Sequence, residues 1–314
     1  MLRFIIKRIW QTCIILVLVS VIAFSLIQFI PGDPVYVMLG ENITQEYHDT
    51  VYHNMGLDQP VITQYFNWLK NMLHGDMGYS YHFRKNVNEL IASRLPVTMT
   101  LGILSALVSI VLGVLFGTLT AVNRGKWIDN VLTVFANIGL ATPSFWTAVL
   151  LVFVFCVKLH WLPAVGFTLP WVNFEKSLKQ MILPVVCMSM GGVASYTRQM
   201  RSSMLEVINQ DYIRTARSKG LPESKVIWRY AVKNSLIPIL TMAGNTLRSC
   251  IGGSAIIETM FNIVGMGQIM VIAINFCDYQ LLQSSLLFMA GITCLCNLII
   301  DIAYAYADPR IRLE

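Results

Sequence analysis

The chain has 314 residues, 55% of them hydrophobic and 13% charged, with a formal net charge of +6. That balance leaves little material for a separate soluble domain, and the basic residues are scattered over short loops and chain ends, which argues against a nucleic-acid-binding face. Seven cysteines, at 13, 156, 187, 250, 277, 294 and 296, fall mostly inside or beside apolar runs and read as small hydrophobes, with no disulfide framework.

Taken in chain order, residues 1–8 carry Arg3, Lys7 and Arg8 ahead of a first apolar run over 9–30. The run is longer than a signal-peptide core and lacks a small-x-small cleavage site, so a retained membrane helix is expected. Further charge-poor runs follow at 95–122, 130–157, 180–197, 234–257 (interrupted at Arg248) and 279–300. Each is long enough, or nearly so, to cross roughly 30 Å of hydrocarbon. The expectation is an all-α polytopic membrane protein of six spans forming one domain over 1–314.

Lys and Arg placement sets the orientation. Arg3, Lys7 and Arg8, then Arg124 and Lys126, a basic island within 203–233, and Arg310 and Arg312 in the tail 309–314 mark the cytoplasmic side. The chain is therefore expected in the cell membrane with both termini cytoplasmic and with 31–94 and 158–179 on the outer side. Within 31–94, Val61–Leu73 has apolar residues at spacings of three and four and is expected to be an amphipathic helix on the membrane or on neighbouring spans. All five histidines, at 48, 53, 74, 82 and 160, lie in external segments at irregular spacings, which favours surface histidines over a metal site.

The ionisable residues Arg248, Glu258 and Asp301 are costly in hydrocarbon, so each should face a bundle interior, a cavity or a partner; Asp301 reads as a boundary residue. Gly113 with Gly117, Gly191 with Gly192, and Gly252 with Gly253 suit close helix contacts. Pro143 and Pro238 should kink or end a helix. Arg248, Glu258, Gly252, Gly253 and Pro143 are the candidates for a pathway or gate, with tethering and packing as the alternative reading.

The island between the fourth and fifth runs carries the most information. Asp211 can cap a short helix over 212–219, basic residues suit its C-terminal end, and Gly220 can supply a left-handed stop. Pro222 suits the first position of a second helix and Glu223 its first turn. The expected product is a bent knob at the membrane surface. Phosphate-loop, zincin and serine-hydrolase signatures are absent from the sequence, so any energy source is borrowed from another chain.

The island, Asp211-Tyr-Ile-Arg-Thr-Ala-Arg-Ser-Lys-Gly-Leu221, resembles the cytoplasmic EAA loop of ABC-importer permeases, in the version of the dipeptide, oligopeptide and nickel family. Gly32-Asp33-Pro34, Gly56-Leu-Asp-Gln-Pro60, Gly75-Asp-Met-Gly-Tyr-Ser80, Pro143-Ser-Phe-Trp146, Ile257-Glu-Thr-Met-Phe261 and Asp308-Pro-Arg310 match the same pattern in order along the whole chain, as in the family's B-type subunit. Val264 stands where the family usually has proline, and Lys233 where many ABC permeases have proline.

The resemblance implies a type I importer fold and a heterodimer with a second homologous permease. It also implies two ATPase subunits that hold ATP and Mg, and an extracytoplasmic substrate-binding protein received by a cap that includes the external segment. Asp211, Arg214, Thr215, Ala216, Arg217, Lys219, Gly220 and Leu221 would form the ATPase-coupling helix, with small Ala216 and Gly220 allowing close approach and the cations pairing with acidic groups of the partner. The chain itself would be a permease without catalysis or a cofactor, carrying di- or oligopeptides, or alternatively nickel or a metal chelate. An autonomous secondary transporter or channel is the reading from another class; it predicts duplicated halves and a mid-membrane charge relay.

Overall fold

The computed structural model describes residues 2–28, 33–40, 42–251 and 255–307. Helix α1 (Leu2–Gln28) is followed by α2 (Pro34–Leu39), α3 (Gln45–Asn54), α4 (Val61–Leu73), the short antiparallel pair β1 (Tyr79–Ser80) and β2 (Lys85–Asn86), and the long α5 (Val87–Val122). Next come α6 (Trp127–Ala141) and α7 (Ser144–Leu151), the latter continuing as wider π-helical turns over Val152–Lys158. After α8 (Phe174–Ile208), α9 (Asp211–Ser218) and α10 (Glu223–Lys225), a second π-helical stretch, Val226–Ala231, leads into α11 (Val232–Ile251). The chain then forms α12 (Ala255–Met260), α13 (Met266–Asn275) and α14 (Tyr279–Ala307).

Local chemistry explains several boundaries. Asp33 accepts a hydrogen bond from the Val35 N–H at 2.8 Å and starts α2, with Pro34 in the first helical position where its missing donor is harmless. Asn173 starts α8 in the same way, accepting from the Lys176 N–H at 3.0 Å. The amphipathic helix expected over Val61–Leu73 is α4, with the same bounds.

Among the described residues, four helical segments are long and apolar enough to cross a membrane: Ile6–Ser25, Val87–Val122, Phe174–Ile208 and Tyr279–Ile302. The pair Trp127–Ala141 and Ser144–Lys158 would make a fifth but is bent by 109°. The described residues thus give four or five such spans against the six expected. Pro143 accounts for the bend: it pushes Thr142 to an extended ψ of 124°, ends α6 at Ala141 and caps α7. The expected run over 234–257 emerges as α11 and α12, and the polar residues Asn234, Asn245, Thr246 and Arg248 lower the apolar character of α11. Pro238, expected to kink or end this stretch, lies inside α11 and does not end it.

The surface of α1 is that of a lipid-facing helix. Trp10 is 67% exposed and Leu18 57%, alongside Ile9, Ile14, Ile15, Val17, Val21 and Ile22. An apolar face of this size in water would be an association site; in a bilayer it needs no protein partner. The chain is a multi-pass α-helical membrane protein.

Packing divides the chain into two units, Met1–Thr98 with Val264–Glu314, and Met99–Ile263. In the first, α14 packs along α1 and α13, and Val87, Leu90, Ile91, Met266, Ile269, Leu281 and Met289 form its buried cluster. Asp301 meets Arg8 at 3.3 Å near the ends of α14 and α1, consistent with its reading as a boundary residue. Fully buried Asp278 caps the start of α14 and accepts hydrogen bonds from the Ser80 hydroxyl and the His82 N–H, fixing the hairpin. His48, expected on the surface, is buried instead. Its ring stacks on Tyr36 and Tyr52, and its two nitrogens lie 3.0 Å from Asp49 and 3.1 Å from Asp33.

In the second unit, α8 packs against α6, α7 and α11. The glycines at 113 and 117 serve close contact, as expected. A Cβ at Gly113 would sit 2.2 Å from Cβ of Tyr196, and one at Gly117 would sit 2.5 Å from Cβ of Met200. Gly192 likewise admits Ser109, whereas Gly191 faces open space.

Candidate functional site

The basic island folds as a compact element. α9 begins at Asp211 after Gln210, whose side chain makes no cap, so Asp211 is the first helical residue and does not cap the helix as expected. Its carboxylate still suits the positive end of the helix, and it pairs loosely with exposed Arg214 at 3.4 Å. The helix closes through Lys219, whose N–H reaches the Thr215 carbonyl at 3.1 Å, and Gly220 follows with φ +72°, the left-handed stop expected of it. Pro222 is the extended residue before α10, where a first helical position was expected, and Glu223 opens that helix. The second helix is not short: from Glu223 the chain stays helical through the π turns and along α11, Val232–Ile251.

The two faces of α9 differ sharply. Ile213 and Ala216 are buried in a cluster with Tyr196, Met200 and Met204 of α8 and with Val226, Ala231, Val232 and Ile239, and Leu221 packs against its edge. Ala216, expected to make room for a partner surface, is therefore turned into the chain's own core. Asp211, Arg214, Thr215, Arg217, Lys219 and Gly220 are exposed on the opposite face. Arg217 spans the Gly220 turn to Glu223, with Nη2 2.7 Å from Oε1 and Nε 3.1 Å from Oε2. This hydrogen bond holds the Glu223 carboxyl below its usual pKa and raises that of Arg217. The Asn234 amide donates to the Tyr212 hydroxyl at 2.8 Å, a second clasp between α9 and α11.

The pathway candidates are only partly gathered. α12, which carries the buried Glu258, packs against α7, which begins after Pro143. Arg248 belongs to α11, with its side chain outside the described residues; Gly252 and Gly253 also lie outside them. The structure also supplies a feature that sequence reasoning missed. Asp129 at the start of α6 and Arg201 of α8 form a two-pronged ion pair beside a cavity of about 640 Å³ lined by Thr133, Asn137, Thr197 and Arg198. Nothing in the sequence links positions 72 residues apart. Among the described residues, no group of three or more His, Cys, Asp or Glu is placed to hold a metal ion.

Comparison with known proteins bears on the whole chain. Residues 109–313 match the family model described as "Binding-protein-dependent transport system inner membrane component", and residues 1–102 match the corresponding N-terminal model. A relative from Brucella abortus (strain 2308), provisionally named a peptide transport system permease protein, is 36% identical over 315 residues, covering 100% of each chain. The oligopeptide transport system permease protein AppB of Bacillus subtilis (strain 168) is 36% identical over 316 residues, covering 99% of this chain and 100% of that protein. Among solved structures, the MetNI methionine ABC transporter in inward-facing conformations matches 70% of this chain and 96% of its own at 18% identity and a TM-score of 0.55, which supports a common fold. From its first helix to its last, the chain belongs to the inner-membrane permease family of binding-protein-dependent ABC transport systems.

Proposed function

We propose that this permease forms half of the translocation pathway of an ATP-driven importer of di- and oligopeptides, and that α9 is the element through which partner ATPases move it. Peptide cargo is supported by the names of relatives that align over the full chain. In this reading the membrane domain has six spans in the type I importer arrangement, with α11 and α12 as parts of one of them. Both termini and the α9 knob are cytoplasmic, in line with the Lys and Arg bias of 1–8, 124–126 and 203–233. A second homologous permease completes the pathway, two ATPases bind and hydrolyse ATP with Mg, and an extracytoplasmic binding protein delivers the peptide to the segment 31–94.

The observation that carries the coupling role is the division of α9 into a wholly buried face and a wholly exposed one. Ile213 and Ala216 anchor the helix to α8, while Asp211, Arg214, Thr215, Arg217 and Lys219 present a polar, mainly basic surface to an acidic partner groove. Leu221 and Gly220 set the exit angle of the chain. A load applied to the exposed face is delivered to α8 and α11 through packed side chains.

The test is ATP-driven uptake of tritiated tri-alanine into vesicles that hold the complete complex. Gly220→Arg should insert normally and retain ATP hydrolysis while uptake falls at least about tenfold. Full uptake by that variant would remove the docking role from α9. Absence of uptake by the unaltered complex, with uptake of nickel or a chelate instead, would overturn the peptide reading.

A further inference from the structure

The cavity of about 640 Å³ beside the Asp129–Arg201 pair lies wholly within the second unit, between α6 and α8, and reaches Asn209 just before α9. Its charges do not balance within the chain. Arg124, Arg198, Arg201 and Glu206 line it. Arg201 is committed to Asp129, and among the described residues Arg124, Arg198 and Glu206 make no ion pair. With Asp129 offsetting Arg201 and Glu206 offsetting one of the other two arginines, one positive charge is left over. Arg124, Arg198, Ser202 and Glu206 are all exposed residues, so the site offers accessible polar groups rather than groups sealed in its wall.

Polarity is graded along the cavity. The two helices run antiparallel, with Asp129 beside Arg201 and Gly139 beside Ala194. The charged residues therefore gather towards α9, while Ala136, Leu140 and Ala194 line the other end, with Asn137 the polar side chain among them. Ala194 and Glu206 are about 18 Å apart along the α8 axis, at 1.5 Å per residue. Outside the cavity, Val131, Val134, Phe135 and Ile138 of α6 are each more than half exposed, and Trp127, the first residue of α6, is exposed as well. An apolar helix side with an exposed tryptophan at its charged end suits a helix that meets lipid at the interface.

We propose that this cavity binds an anionic phospholipid of the leaflet on the α9 side. Arg124 and Arg198 hold its phosphodiester, Asn137 donates to an ester carbonyl, and an acyl chain runs past Leu140 onto the exposed apolar side of α6. Basic pockets between membrane helices hold such headgroups in the same way. The single negative charge of the lipid neutralises the cation left over. A zwitterionic phospholipid leaves that charge unmatched, and a free phosphate leaves the apolar end bare. The inference does not depend on the cargo; it places a lipid against α8, the helix to which α9 is anchored.

The test uses the complete complex of permeases and ATPases in nanodiscs of phosphatidylcholine, with a minor share of phosphatidylglycerol that carries a diazirine on one acyl chain. After irradiation, mass spectrometry reads the label on α6 and α8 peptides against that on α1, which meets bulk lipid. Scaled in this way, label on α6 should exceed that from a phosphatidylcholine probe with the same chain by about five-fold or more. Arg124→Gln and Arg198→Gln should each lower it about five-fold, and Glu206→Gln should raise it about two-fold. Lys126→Gln, which removes a nearby cation outside the cavity lining, should change it less than either arginine variant. Glu206→Gln reads the same charge through a gain, so the test does not hang on an arginine variant that folds poorly. The inference is overturned by equal α6 label from the two probes or by arginine variants that label like the parent. It is also overturned if sn-glycerol 1-phosphate displaces the label as well as unlabelled phosphatidylglycerol does, which would make this a site for aqueous anions. Displacement by tri-alanine would overturn it too and assign the cavity to the cargo. Failure of the assembly to import peptide would leave the lipid site standing.

Discussion

Arg201 grips Asp129 with two nitrogens, Nε at 2.9 Å and Nη2 at 2.8 Å, and so ties the C-terminal part of α8 to the beginning of α6. The Asp129 side chain is only 6% exposed and also accepts from the Gly125 N–H at 3.1 Å, while Arg201 is 32% exposed along the cavity wall. Truncating the arginine strands a buried carboxylate, whereas neutralising the aspartate leaves a cation that can turn to water. Arg201→Ala should therefore cost about 2–3 kcal/mol of stability and Asp129→Asn less, after allowance for the partial exposure of the arginine. The double variant should recover part of the loss, which a thermal-unfolding cycle in detergent would measure.

Gly113 and Gly117 set how closely α5 approaches α8. In Gly113→Ala the new methyl would meet a Cβ atom, which no rotamer change can move, and in Gly117→Ala it would also lie 2.7 Å from the Thr197 carbonyl. Each substitution should destabilise by about 1–3 kcal/mol or more, because the helix axes must part. Gly191→Ala is the control: it has open space and should be neutral within a few tenths of a kcal/mol, or slightly stabilising through helix propensity. Thermal midpoints of the three purified variants check the ranking.

At Gly220 the backbone alone decides the outcome of a small substitution. A Cβ there meets nothing within 4 Å, so Gly220→Ala carries only the penalty of a left-handed φ, about 1–2 kcal/mol. Uptake should be largely retained in Gly220→Ala and lost in Gly220→Arg if the exposed face receives a partner. Equal loss in both would assign the residue to folding of the knob instead.

The His48 cluster gives a pH dependence outside the membrane-spanning helices. The hydrogen bond to Asp49 raises the His48 pKa, burial opposes it, and Asp33 adds to the rise. Asp49 is lowered, chiefly by His48. Stabilisation from a raised histidine is present in full below about pH 6.5 and disappears as the pH climbs through the folded-state value; that from Asp49 disappears on strong acidification. Protease resistance of the α2–α3 segment should therefore fall as the pH rises above about 6.5, and His48→Gln should flatten the profile. An unchanged profile in that variant would locate the titration elsewhere.

Much of this architecture was legible because a bilayer simplifies the physics. Charge-free runs identified the cores of α1, α5, α8 and α14, and three-to-four spacing placed α4 between its observed ends. Gly220 marked the end of α9 because glycine takes up a left-handed φ at little cost. What hydropathy could not reveal were events depending on partners distant in sequence. Asp129 was passed over because its arginine lies two helices away. His48 was expected at the surface because two stacked tyrosines and two carboxylates are invisible to spacing. Pro143 and Pro238 looked alike, yet the first sits at a 109° corner and the second inside a continuous helix, since neighbouring packing decides whether the freed backbone is tolerated. Ala216 was assigned to a partner because a small residue on a short helix carries no label for which side it faces.

That last orientation has a mechanical consequence. Ile213 and Ala216 are sunk among Tyr196, Met200, Met204 and Val226, so α9 is held by α8 and by the turns that lead into α11. It is also clasped to the helical stretch that follows it, by Arg217 to Glu223 and by Asn234 to Tyr212. In the proposed importer, a force applied to α9 would therefore pass to α8 and α11 through packed side chains.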